Sequence, residues 1–173
     1  MKAQLWLAVF GFFLTIGCSS TARLYPVQGP LMSQSPAPVF TGKFTGTINA
    51  GGISFVLANG ELCQGRWTRI VPVKGPQGKQ SAPPPVSPDM PAIWDQIYGP
   101  GYYVSHVLGT TLHGQASITG NRGTVLTVEF YRPDAIPQIL GVAKDSNGNV
   151  FKNDLQRGWS FISSRWGAAL TAP

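Results

Sequence analysis

Two cysteines, two histidines and seven acidic residues are the groups in this sequence most suited to chemistry. His106 and His113 are the histidines. On a regular strand their odd separation puts them on opposite faces, which makes a poor metal pair. The carboxylates are Glu61, Asp89, Asp95, Glu129, Asp134, Asp145 and Asp154, and no spacing among them sets two on one face of one element, as acid/base hydrolysis would require. The sequence has no G-x-S-x-G nucleophile elbow. Asp145-Ser146-Asn147-Gly148-Asn149 opens like a calcium loop but lacks the later acidic ligand, and a hairpin turn accounts for the same residues. Gly120-Asn121-Arg122-Gly123 reads as a turn, because no helix follows to complete a phosphate cradle. No metal site and no cofactor are expected.

The aromatic residues are more suggestive. Trp94, Tyr98, Tyr102 and Tyr103 cluster with His106 beside a proline-rich stretch. Such a patch suits a peptide, a glycan or a partner protein. The competing role is to cover one end of a β domain. Were the 89–106 segment hydrolytic or inhibitory instead, Asp95 and His106 would be its first residues of interest.

The cysteines point elsewhere. Residues 1–17 begin Met1-Lys2, continue as an apolar run from Leu5 to Ile16, and end in Gly17 before Cys18. One positive charge followed by a short apolar stretch fits a secretory leader. It is too short for a spanning helix, which needs about 20 residues. Leu14-Thr15-Ile16-Gly17-Cys18 resembles the lipobox of bacterial lipoproteins, with Thr15 where that family prefers Leu. The resemblance implies lipid on the Cys18 thiol, cleavage before it and an acylated amino group, so that several chains give stable anchoring. Ser19 after the cysteine, rather than Asp, favours the outer membrane and a periplasm-facing protein. Cys63 then has no disulfide partner and reads as a small buried residue of a strand.

Composition agrees with a β protein. Charged residues make up 12% of 173, against a usual quarter. The 21 glycines, 15 prolines and 11% aromatic content favour strands and turns over helix. Loss of Lys2 with the leader lowers the formal charge from +6 to +5. The basic residues are spread along the chain, so no nucleic-acid stripe forms. A diffuse positive charge suits anionic head groups or cell-wall polymer, or is simply a solvated basic surface.

These groups must be positioned by short strands. Residues 18–41, with Pro26, Pro30, Pro36 and Pro38, read as an extended tether from the lipidated cysteine. A domain over 42–173 is expected to begin with Phe44, Gly46 and Ile48 alternating with polar residues. Asn49–Gly52 marks a turn, Ile53, Phe55 and Leu57 a second strand, and Asn59-Gly60 a hairpin into a third strand near 61–71. Eight prolines break the pattern in an insertion at 72–101. Within it, Pro91 to Tyr98 suits a short helix capped near Asp89, with Ile93, Trp94, Ile97 and Tyr98 on one face. Residues 103–108 and 112–119 read as one bent strand, 124–131 as the clearest strand, and 139–144 with 149–152 as a hairpin about Asn147-Gly148. Trp159, Phe161 and Trp166 suit a last strand or a cover.

Two stretches, Ile118 to Pro133 and Gly141 to Lys152, are similar to a group of small proteobacterial envelope lipoproteins with no assigned activity. The likeness implies a β fold and an envelope location and supplies no catalytic residue. The expected fold is one all-β domain, an antiparallel sandwich or barrel of about seven or eight strands. The expected function is a membrane-anchored, non-catalytic binding or structural module. Its membrane contact is the lipid on Cys18, its partner an envelope protein or cell-wall component, and nucleic acid is not expected.

Overall fold

The computed structural model describes residues 19–71, 73–74, 80–81, 86–110, 112–133 and 138–156. The leader, Cys18, the triple proline at 83–85 and the aromatic residues after Gln156 lie outside the described residues.

Eight antiparallel strands close into a barrel, which settles the choice between sandwich and barrel. They are β1 (Ser19–Gln28), β2 (Phe40–Thr45), β3 (Ala50–Val56), β4 (Leu62–Arg69), β5 (His113–Gly120), β6 (Val125–Tyr131), β7 (Ile139–Asp145) and β8 (Val150–Gln156). Each pairs with its neighbours in sequence, and β1 closes the ring against β8 with Arg23 opposite Asp154. This is an up-and-down meander. A two-residue ribbon, Val73–Lys74 with Gln80–Ser81, stands apart. The helix α1 runs Met90–Tyr98 and is followed by a turn of wider, π-helical geometry, Tyr103–Val107, in which the Leu108 N–H donates to the Tyr103 carbonyl.

Strand alternation decides what fills the barrel. Leu24, Phe40, Phe44, Phe55, Cys63, Trp67, Leu126, Val128, Phe130 and Phe151 point inward into one cluster. Eight strands enclose just enough room for such side chains. Edge-to-face rings carry much of the packing: Phe130 lies 5.1 Å from Phe44 and 5.4 Å from Trp67. Small residues face the large ones. A Cβ on Gly42 would fall 2.3 Å from the Phe55 ring, and one on Gly114 2.4 Å from Phe130. Each fully buried aromatic or leucine contributes about 2 kcal/mol.

One rim is built three times from one device. In the hairpins at 57–61, 120–124 and 145–149 the fourth residue is a glycine, Gly60, Gly123 or Gly148, with φ of 75°, 94° and 82°. Its N–H donates to the carbonyl three residues back, and the first residue's N–H donates to the fifth residue's carbonyl. This is a tight turn closed by a left-handed glycine, a longer relative of the two-residue hairpin that Asn-Gly suggests. Glu61 then ties two hairpins together: its carboxylate accepts from the Arg122 and Thr124 N–H groups, both at 3.0 Å, and from the Thr124 hydroxyl at 2.7 Å. Asp145 serves its own turn, accepting from the Asn147 and Asn149 N–H groups at 2.9 and 2.8 Å. The calcium-like motif is therefore a self-capped hairpin.

Three expectations are corrected. The segment from Ser19 to Gln28 is a barrel strand rather than a tether, with Ala22 and Leu24 buried between β8 and β2. Its Pro26 stands beside an irregularity in the register, where a missing N–H is tolerated. Ile48 is not a strand residue but lies 66% exposed in the turn after β2. Tyr103–Val107 is helical, so only the second half of the supposed bent strand is β.

Candidate functional site: an aromatic ladder over a buried carboxylate

The long connection between β4 and β5 returns as a cap on the outside of the barrel. Helix α1 follows Asp89 and carries proline in its first turn, where no N–H is needed. Asp89 stands at the cap position, yet its carboxylate turns away from the helix to meet the Ser87 hydroxyl and the Lys144 ammonium on β7. These partners, Lys144 first, hold its carboxyl below the usual carboxylate range. Asp95 fastens the next segment, accepting from the Tyr103 N–H at 2.9 Å. Met90, Ile93, Trp94, Tyr103 and Val107 are buried against the outward residues Tyr131, Val142 and Val150.

Beneath the cap lies a polar cluster. Glu129, on the outer face of β6, is fully buried. Its Oε2 accepts from Trp94 Nε1 at 3.0 Å, and its Oε1 lies 2.6 Å from His113 Nε2 and 3.4 Å from the Tyr103 hydroxyl. A buried carboxyl group is tolerated only where partners replace water, and here three side chains do so. Burial and the neighbouring Glu129 keep the Tyr103 phenol protonated far above the ordinary tyrosine range.

Above this cluster the rings of Trp94, Tyr98, Tyr102 and His106 form a ladder at four-residue intervals. Tyr98 lies 5.3 Å from Trp94, Tyr102 stacks on Tyr98 at 4.8 Å, and His106 stacks on Tyr102 at 4.5 Å. The Tyr102 and Tyr131 hydroxyls share a hydrogen bond of 2.6 Å, and Lys152 Nζ lies 5.7 Å above the Tyr98 ring. Fully buried Trp94 forms the base, Tyr98 and Tyr102 are half-buried, and His106 is exposed.

The five-residue patch thus divides. Tyr98, Tyr102 and His106 share an accessible edge. Trp94 and Tyr103 are interior and hold the cap to the barrel. Asp95 and His106 share no hydrogen bond, since Asp95 is engaged by the Tyr103 backbone and His106 by the Tyr102 ring. The two histidines lie apart, though not through strand parity: His106 is on the helical segment at the exposed edge and His113 on β5 under the cap. Among the described residues no three metal-ligating groups come together. Cys63 is buried in the barrel, and burial, reinforced by Glu61 and Asp145, pushes its thiol up.

The Glu129 cluster was not anticipated. Glu129 sits at an outward strand position, which alternation assigns to solvent. The available signal was its setting, Val128 before it and Phe130-Tyr131 after it, an apolar run that fits burial on both faces.

Comparison of the chain with protein-family models, with curated proteins and with solved structures gives no match.

Proposed function

We propose that this protein is a lipid-anchored component of the bacterial cell envelope whose barrel acts as a non-catalytic binding module, using the edge formed by Tyr98, Tyr102 and His106. The anchoring part rests on the lipobox-like sequence ending at Cys18. The observation that carries the binding part is the stacked ladder. Its rings are held from behind by Trp94 and by the Tyr102–Tyr131 hydrogen bond, so little side-chain freedom remains to be lost on contact. Rigid aromatic edges of this kind are the usual anchors of recognition surfaces. A hydrolase working through Asp95 and His106 is the weaker alternative, because each is already committed to a different neighbour.

The test is co-isolation from detergent-solubilised envelope, comparing the native protein with His106→Ala and Tyr102→Phe. A reproducible partner retained by the native protein and lost with His106→Ala supports the reading. Identical recovery with all three proteins, or none at all, counts against it. Mass measurement of the Cys18 fragment tests the anchor separately.

A further inference from the structure

We infer that the Ser19 rim of the barrel and its β1–β4 wall form a docking face for an anionic bilayer surface; the inference rests on the Cys18 anchor proposed above and specifies how the barrel lies beside it. The first observation is where the chain emerges. Ser19 already pairs with Thr45, so β1 starts at this rim, one residue after Cys18 in the sequence. The turn at 46–49, the connections after Arg69 and Tyr131, and the end of β8 at Gln156 share that rim.

The second observation is charge. From Ser19 to Val71 the only acidic residue is Glu61, and it is buried at the opposite rim, consumed by the hairpin hydrogen bonds. The basic residues of the same stretch are Arg23, Lys43, Arg66 and Arg69. Arg23, Lys43 and Arg66 are exposed on the outer face of successive strands. The register sets Lys43 opposite Thr21 and Ser54, and Arg66 opposite Gly52, so they form a diagonal stripe ending near the Ser19 rim. At the rim itself Arg69 Nη1 lies 3.4 Å from Asn49 Oδ1. None of the four makes a salt bridge among the described residues, although Arg23 lies across from Asp154 on β8, which faces Lys152.

Exposed apolar side chains do not select this rim: Ile48 and Val71 stand at this end, whereas Val27, Met32, Val39, Val56, Leu62 and Val125 lie toward the other. Charge and chain exit do choose, since basic residues near an anionic leaflet are attracted within a Debye length of its surface. The wall presents Thr21, Arg23, Lys43, Gln64 and Arg66 outward, the inverse of the apolar band of a spanning barrel. Contact is therefore with head groups.

The experiment uses the chain from Ser19 to Pro173, which keeps every barrel strand and lacks any lipid, so it tests the face independently of the anchor. Its binding to phosphatidylglycerol vesicles and to phosphatidylcholine vesicles is measured by co-sedimentation at low salt. Binding to the anionic vesicles should be at least tenfold stronger. Lys43→Glu should weaken it roughly fivefold or more, while Arg122→Glu, the same charge change at the far rim, should alter it less than twofold. A fluorophore on Ile48→Cys should lose access to an aqueous quencher in anionic vesicles, and one on Val39→Cys should not. Equal binding to both vesicles, equal effects of the two reversals, or equal quenching at both positions would overturn the inference. Absence of lipid on Cys18 in cells would overturn the anchor instead and leave the vesicle result standing.

Discussion

His113 Nε2 and Glu129 Oε1 meet at 2.6 Å across β5 and β6, both buried beneath the α1 cap. Glu129 lies opposite Gln115 in the register, so this is a diagonal cross-strand pair rather than a direct one. The same carboxylate accepts from Trp94 on the helix. One side chain therefore fastens the cap to the barrel wall.

Glu129→Ala should then cost about 3 kcal/mol, because it leaves His113 and the Trp94 N–H buried without their acceptor. Chemical denaturation measures the loss. Trp94 fluorescence should shift to the red before the barrel unfolds, as the cap loosens first. An unchanged midpoint and spectrum would show that the carboxylate does not fasten the cap.

Stability should fall in acid for a stated reason. The Thr124 hydroxyl, followed by backbone N–H groups and Asn59, holds the Glu61 carboxyl below its ordinary value, and Lys144 does the same for Asp89. Groups with a depressed folded-state value contribute fully above the unfolded value and lose that contribution as pH drops through the folded one. The melting temperature should therefore decline from about pH 4 downward. Glu61→Gln should flatten that decline while leaving hairpins 57–61 and 120–124 more mobile in amide exchange.

Alkaline titration should probe three buried tyrosines. Burial is the main cause that holds Tyr98, Tyr103 and Tyr131 protonated far above the ordinary range. Their contribution to stability is complete below the ordinary tyrosine value and is lost progressively as pH rises from there toward the raised one. Ultraviolet difference absorption should show these three ionising only together with loss of the fold. Reversible ionisation of these three near pH 10 would contradict the buried cap.

Cys63 should be inert in the native protein. It is fully buried, and its thiol is raised by burial and by the carboxylates of Glu61 and Asp145. Its reaction with a thiol reagent should follow global unfolding across a urea series. Rapid labelling without denaturant would place the thiol outside the barrel core.

Much of the barrel was legible because its turns and strands obey local rules. The glycines at 60, 123 and 148 marked three hairpins, and the β-branched and aromatic residues of 124–131 marked β6. Helix α1 showed through Ile93, Trp94, Ile97 and Tyr98 despite the surrounding prolines. What failed was local evidence overridden by partners far away in sequence. The prolines from Pro26 to Pro38 suggested a tether, but Ala22 and Leu24 alternate with Arg23 and Tyr25, and β1 is fixed by β8 more than a hundred residues later. Tyr103-Val104-Ser105-His106-Val107 has strand-like composition, yet Asp95 captures its first N–H and turns it helical. That Tyr98, Tyr102 and His106 lie together could be expected from sequence. The division between interior and accessible rings could not, because it depends on the acceptor that Glu129 supplies.

Closure of the barrel has a consequence for crowding. Each of its eight strands finds hydrogen-bonding neighbours on both sides, so the wall offers no open margin on which another chain could extend the sheet. Apart from the two-residue ribbon at 73–74 and 80–81, the described backbone is no template for a foreign strand. Copies concentrated on a surface can jostle without zipping together, and any visitor must be recognised by side chains alone.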